Sequence, residues 1–193
     1  MNRRPAVFLD RDGVITAEVF YEKWGEWEAP LKAEDLAFLP GVFEALSALK
    51  NSGRPCFLIS NQAAHAKGKV PLKDILKVAD RVREALNHQG FVFTDEYYSF
   101  SHPRGTVPGF SGPSLERKPG LYFPLLAEAR HDLDLKKSWF VGDRETDILC
   151  GRAAGMRTVL IANKNSPAFV ENAEADYTVD NLSQAVDIIL KDT

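Results

Sequence analysis

Cysteine is nearly absent from this sequence, which contains only Cys56 and Cys150 among its 193 residues. The first lies in an apolar run and the second in a predicted helix, so the pattern indicates neither a disulfide framework nor a thiolate metal site. A reducing, cytoplasmic location is the resulting expectation.

Long hydrophobic runs and a strong net charge are missing as well. A formal charge of −3 with 45% hydrophobic residues is typical of a globular protein and excludes the strongly basic class of nucleic-acid-binding proteins. No run approaches the length of about 20 residues that a membrane helix needs, and the run before Asp10 is too short for a signal peptide. We therefore expect a monomer with no membrane or nucleic-acid partner.

Short apolar strands alternate with amphipathic helices along the chain. Apolar residues at positions 42, 45, 46 and 49 mark one face of a helix, and residues 71–89 form a longer one. This alternation predicts the α/β class with a Rossmann-like, doubly wound parallel sheet. The length predicts a single domain over residues 1–193, with loop insertions at about 16–32 and 101–116 in place of a large cap.

Two carboxylates stand at the end of the first predicted strand, where Val7-Phe8-Leu9 is followed by Asp10 and Asp12. Ligands of open α/β sheets bind beyond the carboxyl ends of the strands, so both acids are expected to face a pocket. A divalent cation would relieve their mutual repulsion. Taken alone, the motif also fits a solvated loop after an edge strand.

Three short polar residues, Ser60, Asn61 and Gln62, follow the next buried strand. Their hydroxyl, amide and backbone N–H groups are suited to holding phosphate oxygens. The same residue types also cap turns, and that alternative stays open here.

Further charged pairs come later in the chain. Arg117 and Lys118 precede a proline that suits the first turn of a helix, which makes them an anion site or, alternatively, an exposed basic pair. Asp143 and Asp147 follow another buried strand and are four residues apart. If Asp147 lies in the first turn of the next helix, both carboxylates can face one cavity.

Together these motifs resemble the haloacid dehalogenase-like (HAD) phosphohydrolases, and the likeness extends from residue 7 to residue 190. Asp-Arg-Asp-Gly-Val-Ile at 10–15, Ser-Asn-Gln at 60–62 and Arg-Lys-Pro at 117–119 are similar to the branch that contains D,D-heptose 1,7-bisphosphate phosphatases and histidinol-phosphate phosphatases. Members of this branch have a minimal cap and close the pocket with loops.

The resemblance implies a catalytic set. Asp10 is the expected nucleophile that accepts the phosphoryl group, and Asp12 is the acid that protonates the leaving oxygen and later deprotonates water. Ser60 and Lys118 are expected to steady the phosphoryl group during transfer.

It also implies a cofactor and a recognition set. Mg²⁺ is expected to bind the Asp10 carboxylate, the Asp12 backbone carbonyl and Asp143, with Asp147 completing the metal site from outside the direct ligands. The residues implied in substrate recognition are Glu18, Asn61, Gln62, Arg117 and Arg144.

One departure from the family pattern concerns zinc. Many relatives hold a structural zinc with Cys-x-His and Cys-x-Cys, but the matching positions here are Ser99, Ser101, Ser114 and Glu116. His102 alone cannot replace those ligands. We therefore expect no structural zinc.

A second departure is the long 16–32 segment, with Trp24 and Trp27, which is expected to form a loop over the pocket. The two tryptophans fit either packing against the domain or contact with substrate. Arg144 presents a planar fork where the heptose enzymes tend to have lysine.

The sequence thus predicts a Mg²⁺-dependent phosphatase that hydrolyses a small phosphorylated metabolite through an aspartyl phosphate. A sugar bisphosphate such as D-glycero-D-manno-heptose 1,7-bisphosphate is the first choice of substrate. Histidinol phosphate or another small phosphomonoester is the alternative within the same chemistry. A phosphotransferase or mutase, which usually carries a substantial cap, and a non-catalytic phospho-ligand-binding protein are the alternatives from other classes.

Overall fold

The computed structural model describes residues 3–162 and 173–192, and all statements on the fold refer to these ranges. The strands are β1 (Val7–Leu9), β2 (Val19–Tyr21), β3 (Glu26–Glu28), β4 (Cys56–Asn61), β5 (Asp95–Ser99), β6 (Trp139–Gly142), β7 (Arg157–Ile161) and β8 (Tyr177–Val179). The helices are α1 (Val42–Asn51), α2 (Leu72–His88), α3 (Tyr122–His131), α4 (Glu145–Ala153) and α5 (Leu182–Lys191). Short 3-10 turns lie at Ala33–Asp35 and Leu135–Lys137.

One sheet of six parallel strands organises the fold, in the order β5-β4-β1-β6-β7-β8. The first strand therefore lies in the middle, between β4 and β6, and its carboxyl end is next to theirs. This order brings chain segments that are distant in sequence to one edge of the sheet.

Helices cover both faces of this sheet. Because side chains alternate along a strand, Val7 and Leu9 enter a core with α1, α2 and α5, while Phe8 enters a second core with α3 and α4. In the second core the Phe8 ring stacks between those of Phe57 and Phe140, with centroids 5.0 and 6.3 Å away. The predicted α/β doubly wound class is confirmed.

The 16–32 segment contains a hairpin where the sequence predicted a loop. Strands β2 and β3 pair antiparallel, and Gly25 at φ 64° lies in the turn between them. Valine and aromatic residues favour strands, but three-residue strands are too short for a period of two to stand out. Trp24 packs edge-on against Tyr21, in a small cluster with Leu31, Ala64 and Ile75 that is separate from the two cores of the sheet.

The start of α3 also differs from the prediction. The helix begins at Tyr122, so Pro119 lies before its first turn and Lys118 belongs to an irregular segment. The backbone turns tightly there, and only glycine fits at position 120, since a Cβ on Gly120 would lie 2.2 Å from the Leu115 carbonyl oxygen. The other predicted elements agree with the structure to within about three residues at their ends.

Among the described residues, no helix combines the length and apolarity needed to cross a membrane. The prediction of a single domain includes residues outside the described ranges and stays a prediction.

Gly151 allows α4 to approach the sheet, which leads to a test of the packing. A Cβ at this position would lie 2.7 Å from Thr158 Cγ2 and 2.8 Å from Phe140 Cβ. Alanine normally stabilises a helix relative to glycine by up to about 1 kcal/mol. We expect Gly151→Ala to destabilise the protein instead, by about 1–3 kcal/mol in urea unfolding, because the added methyl group overpacks the interface.

Leu149→Ala is the control on the exposed side of the same helix, where the side chain is 46% exposed. Its free energy of unfolding should change by no more than about 0.5 kcal/mol. A Gly151→Ala protein as stable as the wild type would show that α4 can move away from the sheet at no cost.

Candidate active site

A pocket of about 230 Å³ lies at the carboxyl end of the central strands. Most of the predicted site residues line it, namely Asp10, Asp12, Asn61, Gln62, Arg117, Lys118, Arg144 and Asp147. Asp143 and Ser60 are buried beside these residues, and Glu18 contacts Arg144. The structure thus brings the predicted residues together, although the role of each stays a prediction.

Lys118 connects the acidic residues of two strand ends. Its Nζ lies 2.8 Å from Asp10 Oδ1 and 2.7 Å from Asp147 Oδ1, and it donates to the Ile59 carbonyl oxygen at 2.7 Å. The Asn61 side chain fixes the backbone of Lys118, because its Oδ1 accepts from the Lys118 N–H and its Nδ2 donates to the Lys118 carbonyl. The ammonium group therefore has a defined position at the floor of the pocket.

Burial changes the ionisation of these groups. It raises the pKa of Asp10 to about 6, with Asp147 and Asp12 acting in the same direction and Lys118 opposing them. Burial also raises the pKa of Asp143 well above its ordinary range, together with the charges of Asp10 and Asp147. For Lys118, burial alone would lower the pKa, but Asp10 and Asp147 outweigh it and the pKa is raised. The carboxylates of the floor repel one another, and Lys118 offsets only part of that charge.

Asp10, Asp143 and Asp147 form a group suited to a divalent cation. Each offers one carboxylate oxygen, and these oxygens lie within 4.8 Å of one another. Both Asp143 oxygens are buried and have no hydrogen-bond partner among the described residues. Gly13, at φ 80°, makes room for this carboxylate, since a Cβ there would lie 2.0 Å from Asp143 Oδ2. Arg144 Nε lies 3.9 Å from Asp143 Oδ1 and compensates only part of the charge of the three carboxylates. Hard oxygen ligands that carry excess negative charge fit Mg²⁺.

The Asp12 carboxylate lies outside this acidic group and has its own donors. Its Oδ1 accepts from Arg11 Nε at 3.1 Å and from Thr16 Oγ1 at 2.9 Å. Its Oδ2 accepts from Gln62 Nε2 at 2.6 Å. The sequence analysis did not identify Arg11 or Thr16 as partners of Asp12. The only signal for Thr16 was its closeness in sequence to the Asp-x-Asp motif. The expected metal contact of Asp12 involves its backbone carbonyl, and it stays a prediction.

Charged side chains surround the opening of the pocket. Arg144 forms an ion pair with the buried carboxylate of Glu18. Arg117 donates to the Ser101 carbonyl at 3.3 Å, and burial and the nearby charge of Arg144 lower its pKa. Arg117 lines the pocket and forms no ion pair among the described residues, so its charge is available to an anion there.

Glu28 and Lys67 also line the pocket, and the sequence analysis did not identify them. Glu28 Oε1 lies 2.9 Å from Lys67 Nζ and 2.5 Å from Lys69 Nζ. Burial alone would raise the pKa of Glu28, but its hydrogen bonds to Lys69 and Lys67 outweigh it, and the pKa is lowered. This ion-pair group attaches the β2–β3 hairpin to the loop after β4.

The tryptophans of the hairpin do not line the pocket. Trp24 packs within the small cluster described above, and Trp27 packs on Phe20 with ring centroids 5.5 Å apart. Glu28 and Ala29 are the hairpin residues that face the pocket. Of the two alternatives left open for the tryptophans, packing against the domain is supported for Trp24, whereas Trp27 is exposed and lies against Phe20 of the same hairpin.

Of the residues considered for a zinc site, Ser99 is buried on β5, and His102 forms an isolated β-bridge with Ser111. The absence of structural zinc stays a prediction. Elemental analysis of the purified protein should find much less than one zinc per chain.

Comparison with known proteins agrees with this geometry. A model of HAD-hydrolase-like proteins matches residues 116–185, a range that includes Lys118, Asp143 and Asp147. The crystal structure of a D,D-heptose 1,7-bisphosphate phosphatase from B. bronchiseptica, complexed with magnesium and phosphate, aligns with a TM-score of 0.79. It is 22% identical and covers 98% of this chain and 99% of the other, so this likeness concerns the fold.

Two curated relatives are closer in sequence. The D-glycero-D-manno-heptose-1,7-bisphosphate 7-phosphatase of Thermosynechococcus vestitus is 34% identical over 195 residues, which is 96% of this chain and 95% of the relative. The D-glycero-alpha-D-manno-heptose-1,7-bisphosphate 7-phosphatase of Burkholderia mallei is 33% identical over 81% of this chain and 78% of the relative. The chain belongs to the same family as these proteins, within the HAD-like hydrolases.

The repulsion at the pocket floor leads to a test of metal binding. Because burial and two neighbouring carboxylates raise the pKa of Asp143, this group favours the unfolded chain over the metal-free fold at neutral pH. Asp143→Asn should therefore melt at a higher temperature than the wild type in EDTA. Mg²⁺ at 100 times its Kd should stabilise the wild type by about 2.7 kcal/mol, or roughly 5–10 °C, and leave the variant almost unchanged.

Asp187→Asn, on the exposed side of α5, is the control and should respond to Mg²⁺ like the wild type. At pH 5, below the Asp10 pKa of about 6, protons compete with the metal and the Mg²⁺-induced shift should shrink. An equal shift in the wild type and in Asp143→Asn would contradict the proposed ligand group.

Proposed function

We propose that this protein is a Mg²⁺-dependent phosphatase that removes one phosphate from a sugar bisphosphate through a phosphoryl group carried on Asp10. The observation that carries the proposal is the position of Asp10. Its carboxylate lies at the floor of a pocket, 2.8 Å from the Lys118 ammonium and within an oxygen group suited to a divalent cation. A carboxylate can attack a negatively charged phosphate only where such cations reduce the repulsion.

The proposed substrate is D-glycero-D-manno-heptose 1,7-bisphosphate, the compound named in the two relatives. Lys67, Arg117 and Arg144 line the pocket beyond Lys118. Lys67 is paired with Glu28 and Arg144 with Glu18, so Arg117 is the cation that we expect to bind the phosphate that is not cleaved. By analogy with those relatives, the C7 phosphate is hydrolysed and heptose 1-phosphate is released. The expected monomeric state and cytoplasmic location belong to the same proposal.

In the first step an Asp10 oxygen attacks phosphorus, and the bond between phosphorus and the sugar oxygen breaks. Asp12 gives its proton to that leaving oxygen, so the sugar departs as an alcohol. Ser60 and Lys118 interact with the phosphoryl oxygens as charge develops on them. The products of this step are the free sugar monophosphate and an aspartyl phosphate on Asp10.

In the second step water attacks phosphorus, and Asp12, now ionised, takes a proton from it. The bond between phosphorus and the Asp10 oxygen breaks, which restores the Asp10 carboxylate and releases inorganic phosphate. Mg²⁺, held by Asp10, Asp143 and the Asp12 backbone carbonyl with Asp147 beside them, would supply positive charge opposite the phosphoryl oxygens.

Steady-state kinetics of the wild type and of Asp10→Asn test the proposal. The wild type should release phosphate from heptose 1,7-bisphosphate in the presence of Mg²⁺, and it should lose activity in EDTA. Asp10→Asn has no carboxylate to attack with, and its kcat/KM should fall by roughly 10⁴-fold or more.

Asp187→Asn serves again as the surface control and should keep full activity. NMR of the product should show that the phosphate at C1 remains. Higher kcat/KM for histidinol phosphate than for the bisphosphate would contradict the proposed substrate, and full activity of Asp10→Asn would contradict the mechanism.

A further inference from the structure

Gln62 was expected to recognise substrate, but its amide is directed at two residues of the proposed chemistry. Its Nε2 donates to Asp12 Oδ2 at 2.6 Å and to Ser60 Oγ at 2.9 Å. The NH₂ group is therefore the part of the Gln62 side chain that faces Asp12 and Ser60. These two bonds use both hydrogens of the amide nitrogen, and neither remains for a substrate.

We propose that Gln62 is a positioning residue that sets the orientation of Asp12 and Ser60. This role rests on the proposed function, in which Asp12 moves the proton and Ser60 contacts the phosphoryl group. Gln62, Asp12 and Ser60 are all buried, with 3%, 7% and 1% of their surface exposed. Hydrogen bonds between such groups are shielded from competing water, so they hold one geometry.

For Asp12, these hydrogen bonds fix the orientation of the carboxylate plane. Arg11 and Thr16 donate to Oδ1 from one side, and Gln62 donates to Oδ2 from the other. Rotation about the bond to the carboxyl group would break contacts on both oxygens. A general acid must lie within hydrogen-bond reach of the oxygen that it protonates, and this arrangement keeps it in place before substrate arrives.

The consequence for Ser60 concerns its hydroxyl hydrogen. Because Ser60 Oγ accepts from Gln62, its own hydrogen is directed elsewhere and is free to donate to a phosphoryl oxygen. The backbone of Gln62 is fixed as well, since its N–H donates to the Ser99 carbonyl of β5 at 2.7 Å. One side chain at the end of β4 thus orients both the proton donor and a phosphoryl contact.

The test uses two phosphate esters that differ in how much they need an acid. A sugar alkoxide leaves only when protonated, whereas p-nitrophenolate is stable enough to leave without a proton. For the near-isosteric Gln62→Met, kcat/KM toward heptose 1,7-bisphosphate should fall about 10–100-fold. The loss toward p-nitrophenyl phosphate should be smaller, about 2–5-fold, because this ester needs the Ser60 contact but not the proton of Asp12. KM for the bisphosphate should stay near the wild-type value.

A double variant separates positioning from direct contact. If Gln62 acts through Asp12 and Ser60, then Gln62→Met should add to the loss caused by Asp12→Asn only the small factor that it costs toward p-nitrophenyl phosphate. Gln89→Met, at the exposed end of α2, is the control for the substitution itself and should behave as the wild type. If Gln62→Met does not fold, Gln62→Asn carries the same test, because its shorter amide cannot reach both partners.

Equal losses on the two esters, a raised KM, or losses that multiply in the double variant would overturn the positioning role while leaving the phosphatase proposal intact. A wild-type protein that hydrolyses neither ester would instead overturn the proposed function, and the role of Gln62 with it. The wild-type measurement therefore distinguishes the two failures.

Discussion

The ion pairs of the Lys118 ammonium with Asp10 and Asp147 are the interaction on which the rest of the site depends. A buried ammonium is unfavourable unless it is paired, and a buried group of carboxylates is unfavourable for the same reason. At the floor of the pocket, the ion pairs reduce the cost of burying both the ammonium group and the carboxylates. The negative charge that Lys118 leaves uncompensated on the three carboxylates favours the binding of a divalent cation there. Lys118 comes from an irregular segment, so its position relies on the Asn61 amide that holds its backbone.

The order of the strands explains why this convergence is possible. Strand β1 lies between β4 and β6, and parallel pairing places their carboxyl ends at the same edge. The strand order by itself therefore makes the residues near positions 10, 60 and 143 neighbours in space. Gly13 and Gly142 then allow the close approach, because a Cβ on Gly13 would overlap Asp143 and a Cβ on Gly142 would lie 2.2 Å from Asp147 Cβ.

Much of this could be predicted from sequence, and the exceptions have physical causes. Apolar periodicity predicted the sheet and helices, and the chemistry of residues at strand ends indicated the acids. The place of Lys118 in the site was implied by the family resemblance, since the residues alone also fitted an exposed basic pair. The hairpin was missed because its strands are three residues long. The Glu28–Lys67 ion pair was missed because an attraction between residues 39 positions apart leaves no local pattern. The direction of the Gln62 amide depends on which donors and acceptors surround it in space.

The small cluster under the β2–β3 hairpin is separate from the two cores of the sheet, and this separation affects which substitutions the protein can accept during evolution. The hairpin packs on Leu31, Ala64 and Ile75 and, within residues 3–162 and 173–192, shares no buried residue with the two cores of the sheet. Substitutions in β2 and β3 can therefore reshape the entrance while the sheet and the carboxylates of the pocket floor keep their places. Preference among phosphorylated compounds can evolve in one short insert without rebuilding the catalytic machinery beneath it.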